Sequence, residues 1–264
     1  MTGLRVAVVG ASGRMGRAVV RLAPAHGLVV TRAVASSKAD VGRDAGEVAG
    51  CERTGVTVEP DVVSLASGGF DVVVDFSAPD ATAALAEMAA TTRAAIVSGT
   101  TGLGDDEKAA LERAGAHVAV FWEPNMSFGV QVLADLVRRA AAQLGQAFDV
   151  EVTETHHRKK VDAPSGTALR LVEAVREGQG LSPPMVYGRY GRPGPRASEE
   201  VAVHAIRGGD VIGDHTVHFL GNGERIELTH RATDRDLFAH GALRAAAFVA
   251  GKPAGRYTMR DLLR

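Results

Sequence analysis

The chain has 264 residues, enough to bury a full core in one large domain or in two smaller ones. An apolar fraction of 45% and a charged fraction of 23% are those of an ordinary soluble globular protein, and a formal net charge of −1 argues against a general nucleic-acid binder. No apolar stretch approaches the ~18 residues of a membrane span. The short apolar run at 6–9 is broken at Gly10, so no signal peptide is read. The single cysteine, Cys51, excludes an internal disulfide and fits a reducing cytosol, so a cytoplasmic protein without a membrane partner is expected.

From the N-terminus, short β-branched runs alternate with Ala-rich stretches. Strands are predicted at 5–9, 29–34, 72–75, 95–98 and 118–121, and helices at 14–23, 81–90 and 105–114. This alternation reads as βαβ units on a parallel sheet, and strands that are apolar throughout imply that both sheet faces are covered. The middle of the chain differs. A helix is predicted at 133–144, a strand at 149–156 and a second helix at 165–177, stopped by Gly178. Residues 181–198 hold four of the ten prolines (Pro183, Pro184, Pro193, Pro195) and read as a long loop. Strands at 201–206, 215–220 and 225–229 follow, joined by "RGGD" and "GNGE", glycine turns that predict antiparallel pairing. Residues 237–249 are helical again and predicted to return to the first domain.

"VAVVGASGRMGRAVV" places Gly10, Gly13 and Gly16, with Ala11, Ser12, Arg14 and Met15 between them, after a strand and at the opening of a helix. Glycines there allow a tight turn, close approach of backbone N–H groups to a pyrophosphate, and close helix–sheet packing. The spacing is G-x-x-G-x-x-G, one position away from the usual dinucleotide fingerprint. The fold class is therefore α/β: a Rossmann-like doubly wound parallel sheet with an inserted α+β domain. Residues 1–126 plus 237–264 form the dinucleotide-binding domain and residues 127–236 the substrate domain. The second strand ends in Ala35, Ser36, Ser37 and Lys38, with no carboxylate before Asp40. Hydroxyls and a lysine in place of the acid that binds a ribose diol favour a 2′-phosphate, so NADPH is preferred over NADH. Later strands end in Phe76 and Ser77, in Gly99, Thr100 and Thr101, and in Glu123, Pro124, Asn125 and Met126. These segments should line the crevice beyond the carboxyl ends of the strands.

Residues 156–160 read His-His-Arg-Lys-Lys and run into "VDAPSGTALRLVEAV", whose Ser165 is a plausible N-cap. Two adjacent histidines are rarely chosen for solubility, and no aromatic residues for base stacking lie nearby. Cations beside the helix-start amides of Gly166 and Thr167 make a carboxylate receptor. Cys51 has no histidine near it in sequence and reads as a passive thiol, and no metal site is expected.

"ETHHRKKVDAPSGTA" resembles the signature of the 4-hydroxy-tetrahydrodipicolinate reductase family. "VGASGRMGR", "DFSAP", "SGTTG", "EPNMSFGV", "RGGDVIGDHTVHF" and "ERIELTHRATDR" resemble that family in the same order, over nearly the whole chain. The resemblance implies an NAD(P)H-dependent enzyme of lysine and diaminopimelate biosynthesis. It also implies a cytoplasmic homotetramer assembled through the second domain's sheet, with the two domains joined by a hinge. His156 matches the catalytic acid/base, Lys160 the proton-donating lysine, His157 a substrate-binding histidine, and Gly166 and Thr167 the carboxylate-holding pair. Gly10–Gly16, Gly99–Thr101 and Glu123–Met126 match the dinucleotide contacts. The chain departs from the family's usual pattern at Lys159, where a histidine is frequent, and at Ala35, where an acid is frequent. Arg235 is weighed as a further carboxylate contact against an ordinary surface arginine. Two other readings stay open: another two-domain amino-acid pathway dehydrogenase, and a non-catalytic dinucleotide sensor whose basic patch meets an anionic partner.

Overall fold

The computed structural model describes residues 3–264. In chain order its elements are β1 (Leu4–Val9), α1 (Arg14–Leu22), β2 (Leu28–Val34), α2 (Ala45–Ala49), β3 (Val58–Glu59), β4 (Val72–Asp75), α3 (Pro79–Glu87), α4 (Ala89–Thr92), β5 (Ala95–Ser98), α5 (Asp105–Gly115), β6 (Ala119–Trp122), α6 (Phe128–Leu144), β7 (Asp149–His156), α7 (Gly166–Gln179), β8 (Met185–Tyr187), β9 (Val201–Arg207), β10 (Gly213–Leu220), β11 (Arg225–Ala232), α8 (Asp236–Val249), β12 (Gly255–Tyr257) and α9 (Met259–Leu262). They divide into two compact units, Met1–Met126 with Asp236–Arg264, and Ser127–Arg235.

The first unit is built on a seven-stranded sheet of order β12-β6-β5-β4-β1-β2-β3 in which every pairing is parallel. Val6, Ala7 and Val8 of β1 and Val72, Val73 and Val74 of β4 are fully buried, as a sheet covered on both faces requires. The strand order reverses between β1 and β4. Val9 is in register with Val34 of β2 and with Asp75 of β4, so the carboxyl ends of the three strands finish level at that reversal. β12, the seventh strand, is only "GRY", too short and polar to be read from periodicity.

The second unit carries a five-stranded sheet of order β11-β10-β7-β9-β8. α6 and α7 cover one face, with Leu133, Val137 and Ala141 of α6 and Leu171 and Val175 of α7 packing on Val150 and Val152 of β7, Val203 of β9, and Val217 and Phe219 of β10. Strand period 2 puts alternate residues of β7 on this inner face, and the alternation continues past Val152 to Glu154 and His156, both buried.

Three sequence expectations are corrected here. β9 does not pair with β10. It lies parallel to β7, which separates the two, and only β10 pairs antiparallel, with β7 and with β11. The "RGGD" segment is no hairpin turn because it wraps the end of β7: Gly208 N donates to His156 O, Arg158 N to Gly209 O and His157 N to Val211 O. The loop at 181–198 contains β8, an edge strand parallel to β9. Lastly, α7 runs through Gly178 and ends at Gly180, whose φ of +65° is the left-handed stop.

Gly178 is glycine because α6 passes close by: a Cβ there would lie 2.2 Å from Arg138 O and 2.8 Å from the Ala141 Cβ. Two effects compete in Gly178→Ala. Alanine is the better helix former by ~1 kcal/mol, whereas forcing a methyl against backbone costs ~1–3 kcal/mol. The clash is with backbone of a packed helix that cannot rotate away, so Gly178→Ala is expected to lower stability by about 1–2 kcal/mol. Thermal unfolding followed by circular dichroism checks this, and a raised Tm would show that α6 yields at no cost.

Candidate active site

In the first unit the loop after β1 is fixed from two sides. The amides of Gly10 and Ala11 both donate to Val34 O at 2.9 Å, and the Arg17 guanidinium donates to Ser12 O at 2.8 Å. Gly10 has φ +81°, and a Cβ on it would sit 2.2 Å from Phe76 O; one on Gly16 would sit 2.1 Å from Gly10 O. The sheet, loop and helix thus meet at backbone distance. α1 starts from an extended Gly13 with no side-chain cap and no acidic residue in its first turn. The first-turn amides around Arg14, Met15 and Gly16 and the positive end of the helix therefore remain available to an anion. A dinucleotide pyrophosphate fits this cradle.

Beyond β4 and β5 the geometry is organised by Asp75, which is fully buried. Its Oδ2 accepts the hydroxyls of Thr82 (2.6 Å), Ser98 (2.8 Å) and Thr100 (2.9 Å). Its Oδ1 accepts the Ser77 hydroxyl and the Ser77 amide, the latter at 3.1 Å. One carboxylate thereby ties the "DFSAP" and "SGTTG" loops together. The predicted cofactor residues separate accordingly. Thr101 and Pro124 are exposed, while Thr100 and Met126 are buried, the Thr100 hydroxyl being committed to Asp75. Glu123 Oε1 accepts from Met259 N (3.1 Å) at the start of α9, and Gly99 is packed against the Phe76 ring. Asp40, the first acid after β2, is itself engaged by Arg17 (3.4 Å) and Arg43 (3.1 Å). Cys51 donates weakly to the carbonyls of Gly46 and Glu52, as a passive thiol does.

In the second unit, β7 delivers His156 at its last position, and the loop that follows holds the rest of the basic cluster. Ser165 caps α7 by accepting from Ala168 N (3.1 Å), and its own amide donates to Glu154 Oε1 at 3.1 Å. That bond joins the histidine end of β7 to the N-terminus of α7, so His156, Gly166 and Thr167 are held in one neighbourhood. A Cβ at Gly166 would meet nothing within 4 Å, which leaves open space over the first-turn amides. His157 is half-buried, its amide bonded to Val211 O and its Nδ1 buried without a partner among the described residues. The Lys160 ammonium pairs with both oxygens of Asp162, at 2.7 and 2.8 Å. Arg158 and Lys159 face solvent, and Arg235 is half-buried at the end of the unit.

Sequence reasoning missed the groups beneath this surface. Glu154 is fully buried and accepts two bonds of 2.8 Å from Arg207, together with one from His156 Nδ1. Burial opposes its charge, but the bonds from Arg207 and His156 prevail and hold it below the usual carboxylate range. His156 is pulled below its ordinary value by burial, against the raising effect of Glu154. His215, opposite Glu154 in the ladder, bonds the Ser165 hydroxyl through Nε2 at 3.1 Å, and burial pushes it down to about 4. The signal was present: in "DVEVTETH" the alternation that buries Val150 and Val152 also puts a glutamate and a histidine at core positions.

Comparison with known proteins accords with this arrangement. The N-terminal model of dihydrodipicolinate reductase matches residues 4–126 and the C-terminal model residues 129–263. The chain is 49% identical over 263 residues to the 4-hydroxy-tetrahydrodipicolinate reductase of Anaeromyxobacter sp. (strain Fw109-5), covering 98% of this chain and 97% of that one. It is 45% identical over 262 residues to the enzyme of the same name from Acinetobacter baumannii (strain ACICU), covering 98% and 96%. In fold it is similar to the dipicolinate-bound dihydrodipicolinate reductase of Paenisporosarcina sp. TG-14, with a TM-score of 0.76 at 22% identity and 97% of each chain covered. With both family models matched in order and near half of all positions shared from end to end, the chain belongs to the dihydrodipicolinate reductase family.

Proposed function

We propose that this chain reduces 4-hydroxy-tetrahydrodipicolinate to tetrahydrodipicolinate with loss of water, in lysine and diaminopimelate biosynthesis. Beside the family membership, one observation carries the reading: the Ser165–Glu154 bond holds the histidine end of β7 against the N-terminus of α7, where a flat dicarboxylate is suited to bind.

A nicotinamide dinucleotide, when bound, would supply the hydride for reduction at the ring carbon that carried the hydroxyl. The chain's own residues do the rest. The amides of Gly166 and Thr167 hold one substrate carboxylate, and His157 binds beside them. His156 serves as acid/base, and Lys160 gives the proton that the enamine-like product needs on the neighbouring carbon. Lys160 is held by Asp162, whose side chain is 55% exposed and can return to water, so a substrate carboxylate can take its place. On the cofactor side, the Gly10–Gly16 loop takes the pyrophosphate and the Gly99–Thr101 and Glu123–Met126 segments the nicotinamide end. Exposed Ser36 and Lys38, with the nearest acid already engaged by two arginines, favour NADPH over NADH. The enzyme acts as a cytoplasmic homotetramer joined through the second unit's sheet, where Ile206 lies 53% exposed on the face opposite the helices.

Purified protein given NADPH and substrate generated from pyruvate and aspartate semialdehyde is expected to oxidise the cofactor. Lys160→Ala and His156→Ala should each lose at least about 10²-fold in kcat while keeping the wild-type circular dichroism, and wild-type turnover in Lys160→Ala would remove its role. The kcat/KM ratio of NADPH to NADH should exceed one; a KM for NADH well below that for NADPH would reverse the cofactor assignment. Light scattering coupled to size exclusion should give four times the 27.5 kDa chain mass, and a monomer would exclude the assembly.

A further inference from the structure

Glu154 enters the scheme above only as the acceptor of the Ser165 amide and Arg207 does not enter it, yet both lie directly behind its histidine. We infer that they are positioning residues that fix the tautomer of His156, so that Nδ1 carries the proton and Nε2 is the atom offered to substrate. The inference rests on His156 acting as the acid/base.

The argument starts from what an ionised carboxylate can do, which is accept and never donate. His156 Nδ1 faces Glu154 Oε2 at hydrogen-bond distance, so Nδ1 must bear a proton; the other tautomer would set a lone pair against a negative oxygen. Arg207 is what keeps Glu154 ionised inside the fold, because its guanidinium spans both oxygens, Nη1 on Oε2 and Nη2 on Oε1, each at 2.8 Å. The same fork moderates the carboxylate, since Oε2 is shared between Arg207 and His156. An unshared glutamate at that position would draw His156 into the cationic form. Arg207 also donates from Nη2 to Asp162 O at 2.7 Å, so the loop holding Lys160 is referenced to the same guanidinium.

The remaining groups around the imidazole agree. Glu154 faces it from β7, Arg207 from β9, His215 from β10 and Lys160 from the following loop. His215 stands edge-on to His156, ring centroids 5.0 Å apart. His215 Nε2 is bonded to the Ser165 hydroxyl at 3.1 Å, and burial holds His215 down to about 4, so it adds no charge beside His156. Gly213 completes the setting. A Cβ there would come within 3.0 Å of His156 Nε2, so glycine keeps that nitrogen uncovered on the β10 side.

The test uses the full-length enzyme and two readouts. In ¹⁵N imidazole spectra at pH 7.5, the His156 signals, identified by their loss in His156→Asn, should show protonated Nδ1 and unprotonated Nε2. In Glu154→Gln, whose amide can donate to Nδ1, the tautomer should reverse, and kcat should fall by about 10²–10⁴-fold, the scale seen when an orienting carboxylate is replaced by its amide in a histidine-dependent hydrolase. The milder Arg207→Lys should shift the acid limb of the kcat/KM profile upward by about one pH unit, with the KM for cofactor unchanged. Protonated Nε2 in the wild type, or a tautomer and pH profile that neither variant moves, overturns the assignment. A fully active His156→Asn overturns instead the acid/base reading on which it rests, and the spectra distinguish the two failures.

Discussion

A carboxylate inside a sheet must have its lone pairs matched by donors, and much of this molecule follows from meeting that requirement twice. Glu154 sits at zero exposure on the face of β7 that elsewhere carries valines, and leaving it without partners would cost several kcal/mol. Its partners come from three directions: the Arg207 fork from β9, the Ser165 amide from the start of α7, and the imidazole of His156 two residues along its own strand. Satisfying one buried charge therefore fixes the register of β9 beside β7, the place where α7 begins and the orientation of the histidine. Stability and site geometry are the same set of bonds.

Asp75 meets the requirement in the first unit with a different inventory. Among the described residues no cation bonds it; four hydroxyls and one amide do. Those donors belong to β5, α3 and the loops after β4 and β5, so the carboxyl ends of two adjacent strands are drawn to one point. Hydroxyl donors suit this position because they add no positive charge beside the loops proposed to take the nicotinamide end, which is cationic once oxidised. An arginine suits Glu154 for the opposite reason, since the expected ligand there is a dianion and a buried uncompensated negative charge would repel it.

Much of this was legible in the sequence where period and punctuation are strong. The five main strands of the first sheet and its glycine loop could be read because buried parallel strands are continuous runs of valine and alanine. What escaped had physical reasons. β12 and β8 are three residues long and have no period to detect. Gly178 was read as a helix stop because glycine usually ends helices, but here it is spent on a close crossing with α6, a tertiary fact outside local sequence. "RGGD" has the composition of a hairpin turn, yet β7 lies between the strands it joins, and its Gly208 amide and Gly209 carbonyl bond the chain at the end of β7 instead. The basic cluster was visible as a run of cations, whereas Glu154 and Arg207, which govern it, are separated by 53 residues and meet only through the parallel β7–β9 pairing.

The cluster's charge is also unequally held, and the difference has chemical sense. Arg207 is bound to a carboxylate that has no route to solvent, so its charge is structural and permanent. Lys160 is bound to Asp162, which is more than half exposed and can rehydrate when displaced. A dicarboxylate entering the site therefore finds one cation that can be released to it and another that cannot. The released lysine is the one assigned to proton delivery. The retained arginine spans both oxygens of Glu154, so that carboxylate has little negative field left to oppose an anionic ligand. A near-neutral chain can thus present strong local attraction to an anion without surplus positive charge: the charges are balanced internally, and in the proposed scheme substrate takes the place of the more weakly held partner.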